Sequence, residues 1–460
     1  MHDDGRPGET TTELLSDLVS AGADRVVLSI PIDRGSAWRT VTAEALRADV
    51  VSLARGLVGS GLHVGDRIAV LATGSADTFV LDLAAGMIGA VIVPLAADSS
   101  QSDLLAVLDD AAVTAVVVDS AVDFARFDEL HGDLASVEHV WQLGLGALDK
   151  LRDAGASSAG DPDPLDARAT AVGADTVAVL LYDDPSEGVI DSTSLTHGDL
   201  VERARALAGA LGEAVGADAS TLVVRPATDV FARVLTVTGL VTGMRLGFRP
   251  AASTIEEASS AFRPTVLLAD PAVFGEFETS ARSRAAASGR TQSLEQALDL
   301  AVEYSEARDT DSGVTRGLRA RYALTDALVY RGLRKSMGGN LRFGISVATE
   351  TSLPSRLRHI MRTLDVRPLE TLGLPETVGP ATIERPGDPF GRPTGSVGAA
   401  LRGVSVAVSE TGAISLAGAS ILRSTGSDSL TLGIHGSLDE AGRLTISARD
   451  DVDDVTSLSA

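Results

Sequence analysis

Cysteine is absent from this chain of 460 residues. Its absence excludes disulfide bonds, thiol nucleophiles and thiolate metal sites. Long hydrophobic runs are missing too, because no apolar stretch reaches the roughly 18 residues that a transmembrane helix needs. The first twelve residues are acidic and polar, without the basic and then apolar pattern of a secretory signal. We therefore expect a cytoplasmic protein that is not an integral membrane protein.

Positive charge is scarce. The chain has 39 basic and 63 acidic residues, which gives a net charge of −24. A surface of this sign repels nucleic acid and anionic membranes. It also disfavours polyanionic ligands unless local positive charge compensates for it. We expect no nucleic-acid partner.

Hydrophobic residues make up 44% of the chain, enough for a large core and two or three domains or subdomains. Three continuous β-branched runs bounded by turns predict buried parallel strands at 67–73, 90–96 and 114–120. Helical patterns at 45–62 and 100–111 lie between and beside them. Alternating strands and helices favour an α/β layer with a mostly parallel sheet.

A second α/β unit follows a polar, proline-bearing connector at 153–175. The predicted elements of this unit are strands at 176–182, 221–226 and 264–270, a long helix that begins at His197, and polar helical sequence at 281–318. From Gly391 onward the pattern changes to short strands separated by glycine turns. That change predicts a small antiparallel β unit at the end of the chain.

Several stretches, taken in order, carry the sequence patterns of one enzyme family. They lie at 38–71, 83–104, 263–274, 339–348, 356–383, 395–418 and 438–451. On these stretches the chain resembles the adenylate-forming (AMP-binding) acyl-CoA synthetases, nearest the long-chain fatty-acid–CoA ligase branch. The resemblance implies an α/β fold with two similar, mostly parallel sheet-and-helix subdomains plus a small antiparallel β unit. That is the architecture of the large N-terminal domain of those enzymes.

The resemblance also implies how the chain is divided. The expected segments are a flexible tail at 1–12, a first α/β subdomain at 13–172, a second at 173–385, a small β subdomain at 386–435 and a truncated hinge region at 436–460. The family's C-terminal domain, which carries a lysine that assists adenylation, is expected to be absent. A separately encoded chain could supply that domain.

The family's phosphate loop reads YTSGTTGxPKGVxLTHxNL, and the matching stretch here runs from Tyr182 to Leu200 at the same length. Glycines in such a loop let the backbone approach phosphate, and its hydroxyl and N–H groups hold the oxygens. The positions that keep the family residue are Tyr182, Gly188, Leu195, Thr196, His197 and Leu200. The changed positions are Asp183, Asp184, Pro185, Glu187 and Asp191, and Ser186 lies among them.

The new acidic residues oppose phosphate binding. A carboxylate about 5 Å from a phosphate charge costs on the order of 3 kcal/mol at an effective dielectric constant of about 20. Each such pair weakens binding roughly a hundredfold. Alternatively, Asp183, Asp184 and Glu187 are closely spaced oxygens that suit Mg2+ or Ca2+. We expect a solvated acidic loop and no metal site.

The family's YGLTE motif corresponds to LGLPE, which runs from Leu372 to Glu376, and Thr377 follows it directly. In the family, the tyrosine stacks on adenine, the threonine contacts phosphate and the glutamate helps to hold magnesium. Leu372 cannot stack, Gly373 is kept, and Pro375 has neither a hydroxyl nor an N–H. Glu376 is kept and would be a metal ligand only in an active enzyme.

Further positions depart from the family pattern. The aspartate of its ribose-binding TGD motif is replaced by Ile434, whose apolar side chain cannot accept the hydroxyl hydrogen bonds. A histidine of another family segment is replaced by Asp229. Arg449 matches an arginine near the interdomain hinge, and Asp450 stands where that motif usually has lysine. Ligand positions have thus changed where scaffold positions have not.

One basic stretch stands out against the acidic background. Residues 316–367 carry eleven arginines and lysines against three acidic residues. Such a stretch suits an acidic partner, an acyl-carrier protein or a membrane surface. The other interpretation is a set of ordinary solvated helix faces.

The leading hypothesis is a catalytically deficient acyl-CoA synthetase homologue that acts as an acyl-binding, regulatory or partner subunit. Under this hypothesis the protein has no catalytic residue and requires no cofactor. The sequence also lacks the GxxxxGK[ST], HExxH and GxSxG motifs of other enzyme classes. A fatty-acyl ligand, an intact synthetase and an acyl-carrier protein are its candidate partners. The alternative is an active long-chain fatty-acid–CoA ligase, an acid–thiol ligase that works through an acyl-adenylate with ATP, Mg2+ and coenzyme A.

Overall fold

The computed structural model describes residues 9–32, 35–129, 134, 136–158, 163–169, 171–182, 191–348, 352–390 and 395–449. The chain divides into two compact units. Unit 1 comprises 1–30, 39–205 and 225–251, and unit 2 comprises 31–38, 206–224 and 252–460. Both units are discontinuous in sequence, whereas the expected boundaries divide the chain into consecutive segments. Those boundaries, at 172, 385 and 435, remain predictions.

The helices of the described chain are α1 (Thr11–Gly22), α2 (Ala43–Gly59), α3 (Ala76–Ile88), α4 (Gln101–Asp110), α5 (Ala121–Asp128), α6 (Ala147–Ser157), α7 (Asp166–Ala169), α8 (His197–Leu211), α9 (Val230–Thr242), α10 (Ile255–Phe262), α11 (Pro271–Ala287), α12 (Thr291–Ala307), α13 (Arg316–Thr325), α14 (Arg331–Ser336), α15 (Ser355–Thr363) and α16 (Ala419–Thr425). Helix α1 begins inside the expected tail, where Thr10 caps it through the backbone N–H of Glu13. Within the described residues, no helix combines the length and the apolar character needed to span a bilayer.

The strands are β1 (Val26–Ile32), β2 (Ala37–Thr42), β3 (Arg67–Leu71), β4 (Val91–Pro94), β5 (Ala115–Val118), β6 (His139–Gln142), β7 (Val177–Tyr182), β8 (Ser192–Thr196), β9 (Ser220–Val223), β10 (Arg245–Phe248), β11 (Val266–Ala269), β12 (Phe343–Val347), β13 (Arg367–Leu374), β14 (Gly379–Ile383), β15 (Ser396–Ala400), β16 (Ser405–Val408), β17 (Ala413–Ala417), β18 (Ser429–Leu438) and β19 (Arg443–Arg449). Short helical turns of other types occur at Leu143–Leu145, Gly212–Val215, Asp326–Tyr330 and Pro375–Thr377.

Unit 1 contains a six-stranded sheet in the order β6-β5-β3-β4-β7-β8. Strands β3, β4, β5 and β6 pair in parallel, and β8 closes the edge antiparallel to β7. Every residue of β4 and β5 is buried, as continuous apolar runs covered on both faces require. The strands predicted at 67–73, 90–96 and 114–120 are confirmed with slightly shorter bounds.

Two glycines set the packing of α2 against α6 in unit 1. A Cβ atom on Gly56 would lie 2.1 Å from the carbonyl oxygen of Leu151, and one on Gly155 would lie 1.8 Å from that of Ser52. Neither distance is sterically allowed for a carbon and a backbone oxygen. The two helix backbones therefore approach each other closely only because both positions lack a side chain.

The sheet strands of unit 2 follow the order β16-β17-β18-β19-β15-β14-β13-β12-β11-β9. The pairs from β9 through β11 and β12 to β13 are parallel. From β13 onward, every described pair in this order is antiparallel. The sequence predicted this change after Gly391, but it occurs earlier, at β14. Helix α16, which the sequence analysis did not predict, lies within the antiparallel part.

A helical layer packs on the parallel part of unit 2. Helices α11, α12, α14 and α15 contribute to one apolar core whose members include Phe274, Leu298 and Met361. Tyr330 is fully buried in this core, and its hydroxyl donates a hydrogen bond of 2.7 Å to the carbonyl oxygen of Ala297. The polar helical sequence predicted at 281–318 thus forms the end of α11, all of α12 and the start of α13.

Buried charges accompany this core. Arg358 on α15 lies 3.3 Å from Glu370 on β13 and 3.2 Å from Glu384, which directly follows β14. Glu370 is 0% exposed, and it also accepts a hydrogen bond of 2.6 Å from the backbone N–H of Leu353. Two carboxylates thus share one guanidinium away from water. Burial raises the pKa of Glu370 to about 7, despite the opposing attraction of Arg358.

This cluster makes the stability of the protein depend on pH. The pKa of Glu370 rises on folding from its ordinary value of 4.5 to about 7, so the folded state binds more protons between these limits. The stabilisation of the folded state that comes from this raised pKa is therefore fully present below pH 4.5 and is lost as the pH rises through about 7. Glu370→Gln mimics the protonated carboxyl. We expect it to reduce the pH-dependent change in the free energy of unfolding by about 3 kcal/mol. Chemical denaturation across this pH interval measures the effect.

Glu213→Gln is the matched control for this experiment. Glu213 is exposed in the same unit and lies outside the Arg358 cluster, so this variant shows the effect of removing one carboxylate elsewhere in unit 2. Parallel curves for wild type and Glu370→Gln would contradict the assignment of the raised pKa to Glu370.

Candidate functional site

The expected phosphate loop begins where β7 ends. The hydroxyl of Tyr182 donates a hydrogen bond of 2.7 Å to Asp110 on α4. Burial and this acidic neighbour raise the pKa of Tyr182, so the phenol stays protonated. The side chain that opens the loop is therefore held by its own unit. The next predicted loop residues lie outside the described residues: Asp183, Asp184, Pro185, Ser186, Glu187 and Gly188.

The described part of the loop resumes at Asp191. Its side chain is exposed, and it accepts a hydrogen bond of 2.8 Å from the backbone N–H of Ser192. This is the position where the family has its phosphate-binding lysine. A negative charge therefore stands in solvent where the resemblance implies a positive one.

Thr196 caps helix α8. Its hydroxyl donates to Asp199 at 2.7 Å and accepts from the backbone N–H of Asp199 at 3.1 Å. Asp199 in turn accepts a hydrogen bond from the backbone N–H of Thr196 at 3.1 Å. These reciprocal bonds satisfy backbone donors at the start of the helix. The hydroxyl of Thr196 is thus engaged in hydrogen bonds at the N-terminus of α8.

His197 is buried at the first residue of α8. Its Nδ1 atom lies 2.9 Å from the hydroxyl of Thr11, and a Cβ atom on Gly86 would meet the imidazole ring at 2.7 Å. Burial lowers the pKa of His197 to about 4, so the ring is neutral at neutral pH. The histidine fills space between α1, α3 and α8 and carries no charge to offer to a phosphate.

Asp229 occupies the position of the family's histidine. It caps α9 by accepting a hydrogen bond of 2.9 Å from the backbone N–H of Ala232. Its other oxygen pairs with Arg225 at 2.5 Å. An aspartate suits both tasks because its short carboxylate favours helix N-termini. The substitution thus stabilises the start of a helix.

The segment that matches YGLTE lies at the end of β13 and in the turn Pro375–Thr377. A Cβ atom on Gly373 would lie 1.8 Å from the carbonyl oxygen of Gly379, so the β13–β14 bulge requires glycine here. The hydroxyl of Thr377 donates to the carbonyl oxygen of Gly379 at 2.6 Å and accepts from the N–H of Leu374 at 2.9 Å. These two positions maintain the shape of the turn.

The adenine and ribose positions meet in one apolar cluster of unit 2. Leu372 on β13 is 2% exposed, and Ile434 on β18 is 8% exposed. Both belong to the same cluster, which also contains Ile421 from α16 and Leu432. Helix α16 contacts the turn Pro375–Thr377 and strand β18. We name this group, defined by these four side chains, the motif cluster.

Glu376 is half-buried in the same turn, directly after Pro375. A magnesium ligand normally acts together with other oxygen ligands. Within the described ranges, however, histidine and acidic side chains do not come together in any group of three or more that could hold a metal. The cation hypothesis for Asp183, Asp184 and Glu187 lies outside those ranges and stays a prediction.

The expected hinge region is partly described. Residues 436–438 end strand β18 and residues 443–449 form strand β19, and the two strands pair antiparallel. Arg449 is the last residue of β19, and Asp450 lies outside the described residues. The matched arginine thus ends a sheet strand of unit 2.

The basic stretch at 316–367 is largely compensated in three dimensions. Carboxylates of α12 and its C-terminal end, together with Asp326, neutralise several of its arginines. The pairs are Arg321–Glu303, Arg331–Asp326, Arg334–Asp326, Arg356–Asp299 and Arg362–Asp309. Charge counted along the chain therefore overstates the positive charge of this surface, because three of the compensating acids, Asp299, Glu303 and Asp309, lie outside the stretch.

The sequence analysis missed the motif cluster and the role of α16 in it. Leu372, Ile421 and Ile434 are far apart along the chain, so no local pattern links them. The available signal was that two polar family positions, at 372 and 434, had both become aliphatic. Paired changes of this kind indicate that the two positions share one apolar environment.

Comparison with known proteins agrees with this architecture. The chain is 29% identical over 426 residues to the long-chain-fatty-acid–CoA ligase FadD15 of Mycobacterium bovis, covering 90% of this chain and 70% of that protein. The fold matches a fatty acyl CoA synthetase of Mycobacterium tuberculosis with a TM-score of 0.69 at 18% identity, covering 96% and 78% of the two chains. It also matches the N-terminal domain of FACL13 from Mycobacterium tuberculosis, with a TM-score of 0.71 at 17% identity, covering 96% and 100%.

These structural matches establish the α/β fold of the N-terminal domain of acyl-CoA synthetases, as the sequence predicted. A family profile described as AMP-binding enzyme matches residues 19–418, which is most of the chain. The protein is therefore a member of the AMP-binding enzyme family.

Proposed function

We propose that this protein is a catalytically deficient member of its family that works as a regulatory or partner subunit. The motif cluster is the observation that carries the proposal. Leu372 and Ile434 stand at the family's adenine and ribose positions, yet both are core residues beside Ile421. A nucleotide site needs an accessible stacking face and polar acceptors, and neither side chain supplies them.

ATP does not fit the residues present at these positions. Leucine has no aromatic face, isoleucine has no acceptor, and the hydroxyl of Thr377 is already bonded to the backbone of its own turn. Asp191 adds an exposed negative charge in the described part of the phosphate loop. The residues at these positions cannot make the contacts with which the family binds ATP. No catalytic step through ATP therefore follows from them.

Unit 2 gives no support to an acyl-binding role from its small apolar cavity. One apolar cavity lies among Phe274, Phe277, Leu357 and Met361, with a volume of about 30 Å3. This is about the share of volume that one water molecule takes in the liquid. The cavity is too small for a fatty-acyl chain without rearrangement. An acyl-binding role therefore draws no support from it.

One observation favours the alternative, an active long-chain fatty-acid–CoA ligase. Glu376 is retained and half-buried in the turn that follows β13, where the family holds magnesium. FadD15, a relative at 29% identity, is named as such a ligase. The alternative requires ATP binding at the positions occupied by Leu372 and Ile434.

Calorimetric titration with Mg-ATP distinguishes the catalytically deficient protein from the active ligase. We expect no binding at millimolar ATP, because stacking, ribose and phosphate contacts are all missing. An active ligase of the family, titrated in the same buffer, is the positive control. Micromolar binding, or transfer of labelled adenylate to any member of a fatty-acid panel, would refute the proposal and support the alternative, an active ligase.

A second prediction tests whether position 434 is core or ligand site. Ile434→Asp restores the family residue but buries a carboxylate in the motif cluster. We expect it to lower the free energy of unfolding by about 3 kcal/mol or more without creating ATP binding. Urea denaturation and calorimetry on the same sample measure both effects.

Ile434→Val is the control, because it keeps the apolar character of the side chain. It should cost only about 1 kcal/mol. If Ile434→Asp is as stable as Ile434→Val, the position is open to solvent. The argument from the motif cluster would then fail.

A further inference from the structure

Part of the basic stretch at 316–367 keeps its charge in the folded chain. The ion pairs given above compensate several of its arginines. Within the described residues, the members of the stretch that have no ion pair are Arg316, Arg319, Lys335 and Arg342. Arg342 also lines a cleft, so its charge stands beside a space that a ligand could occupy.

This cleft lies at the amino ends of the parallel strands of unit 2. Its volume is about 500 Å3, and its walls come from the loop between α14 and β12 and from the turn between α15 and β13. Small-molecule sites usually have volumes of roughly 300–1,000 Å3. The nucleotide-motif positions begin at Leu372, at the other end of β13, which is about 20 Å along an extended strand from Val366. The cleft is therefore separate from those positions.

The loop between α14 and β12 presents hydrogen-bond donors. Arg263 braces it, because its Nε donates to the carbonyl oxygen of Gly338 at 3.2 Å and its Nη2 donates to Oδ1 of Asn340 at 3.1 Å. The Nδ2 group of Asn340 makes no hydrogen bond within the described residues. Nor do the backbone N–H groups of Asn340 and Leu341 find an acceptor in the described part of the chain. Both residues line the cleft.

Two arginines add positive charge to the same lining. Arg342 is exposed and carries no ion pair within the described residues. Arg334 pairs with Asp326 through Nη2, whereas its Nη1 lies 3.7 Å from Asp365 and donates no hydrogen bond within the described chain. Asp365 also lines the cleft, and its side chain is 75% exposed. The uncompensated charge of the lining is thus that of Arg342, next to the free donors of Asn340.

We propose that this cleft, which we name the amino-end cleft, binds a phosphate group, either as free phosphate or as part of a small phosphorylated ligand. Arg342 pairs with the anion, because guanidinium–phosphate contacts are charge-assisted and often bidentate. The amide of Asn340 and the neighbouring N–H groups donate to the remaining oxygens. The proposal goes beyond the proposed function and does not depend on the loss of ATP binding.

The charges favour a single phosphate group over a macromolecular partner. An acidic protein needs positive charge over a wide area, yet Arg321, Arg331 and Arg356 are already paired with carboxylates. Nucleic acid presents many phosphates to a chain whose net charge is −24. One phosphate group requires only the local donors that the amino-end cleft supplies.

Calorimetric titration at constant ionic strength, with inorganic phosphate and then with glycerol 3-phosphate, tests the proposal. We expect saturable binding at millimolar concentrations, and we expect Arg342→Gln to weaken it at least about tenfold. Arg316→Gln is the matched control, since Arg316 is exposed on α13 of the same unit and also lacks an ion pair within the described residues. Circular dichroism verifies that both variants fold. No saturable binding of either probe, or equal effects of the two substitutions, would overturn the proposal.

Two near-isosteric variants locate the anion within the cleft. Asp365→Asn removes the carboxylate of the lining and should tighten binding about threefold or more. Asparagine tolerates the left-handed backbone at this position, where φ is 62°. Asn340→Asp replaces donors by a negative charge and should weaken binding at least about tenfold. An anion whose affinity responded to neither change would lie outside the amino-end cleft, which would contradict the proposal.

The two probes also distinguish the source of the phosphate group. Tighter binding of glycerol 3-phosphate than of inorganic phosphate assigns the cleft to small phosphorylated molecules, and equal affinities assign it to free phosphate. Neither probe carries adenine or ribose. The outcome is therefore independent of the Mg-ATP titration that tests the proposed function.

Discussion

Arg358 pairs with two carboxylates in the interior of unit 2, and the arrangement around β13 depends on that pairing. Glu370 lies on β13 and Glu384 follows β14, where the sheet changes from parallel to antiparallel. Removing the guanidinium would leave two buried charges that repel each other, at a cost of about 3–5 kcal/mol. Strand β13 also leads into Leu372 and the turn Pro375–Thr377. The position of the family's nucleotide motif is thus tied to a buried ion cluster.

The motif positions have become part of the core without a change in the scaffold. Leu372 from β13, Ile434 from β18 and Ile421 from α16 now belong to one buried apolar cluster. Apolar contact of this kind stabilises the fold, whereas a polar ligand site usually costs stability. In unit 1, Asp229, which replaces a histidine of the family pattern, serves as a helix cap.

Surface charge shows how far a count along the chain can mislead. The stretch 316–367 is strongly basic in sequence, yet α12 supplies Asp299 and Glu303 to its arginines. A local excess of one sign along the chain suggested an acidic partner. The ion pairs with α12 account for part of that excess.

The sequence by itself determined the α/β class, the parallel strands at 67–73, 90–96 and 114–120, and the long helix from His197. Those features follow from periodicity and burial within short windows, which local residue order encodes. Only the tertiary structure decided the rest: the neutral packing of His197 against Gly86, the pairing of Glu370 with Arg358, and the burial of Leu372 and Ile434 in one apolar cluster. The physical reason is that these contacts join residues far apart in sequence. Their charge and burial are set by neighbours that no local pattern reveals.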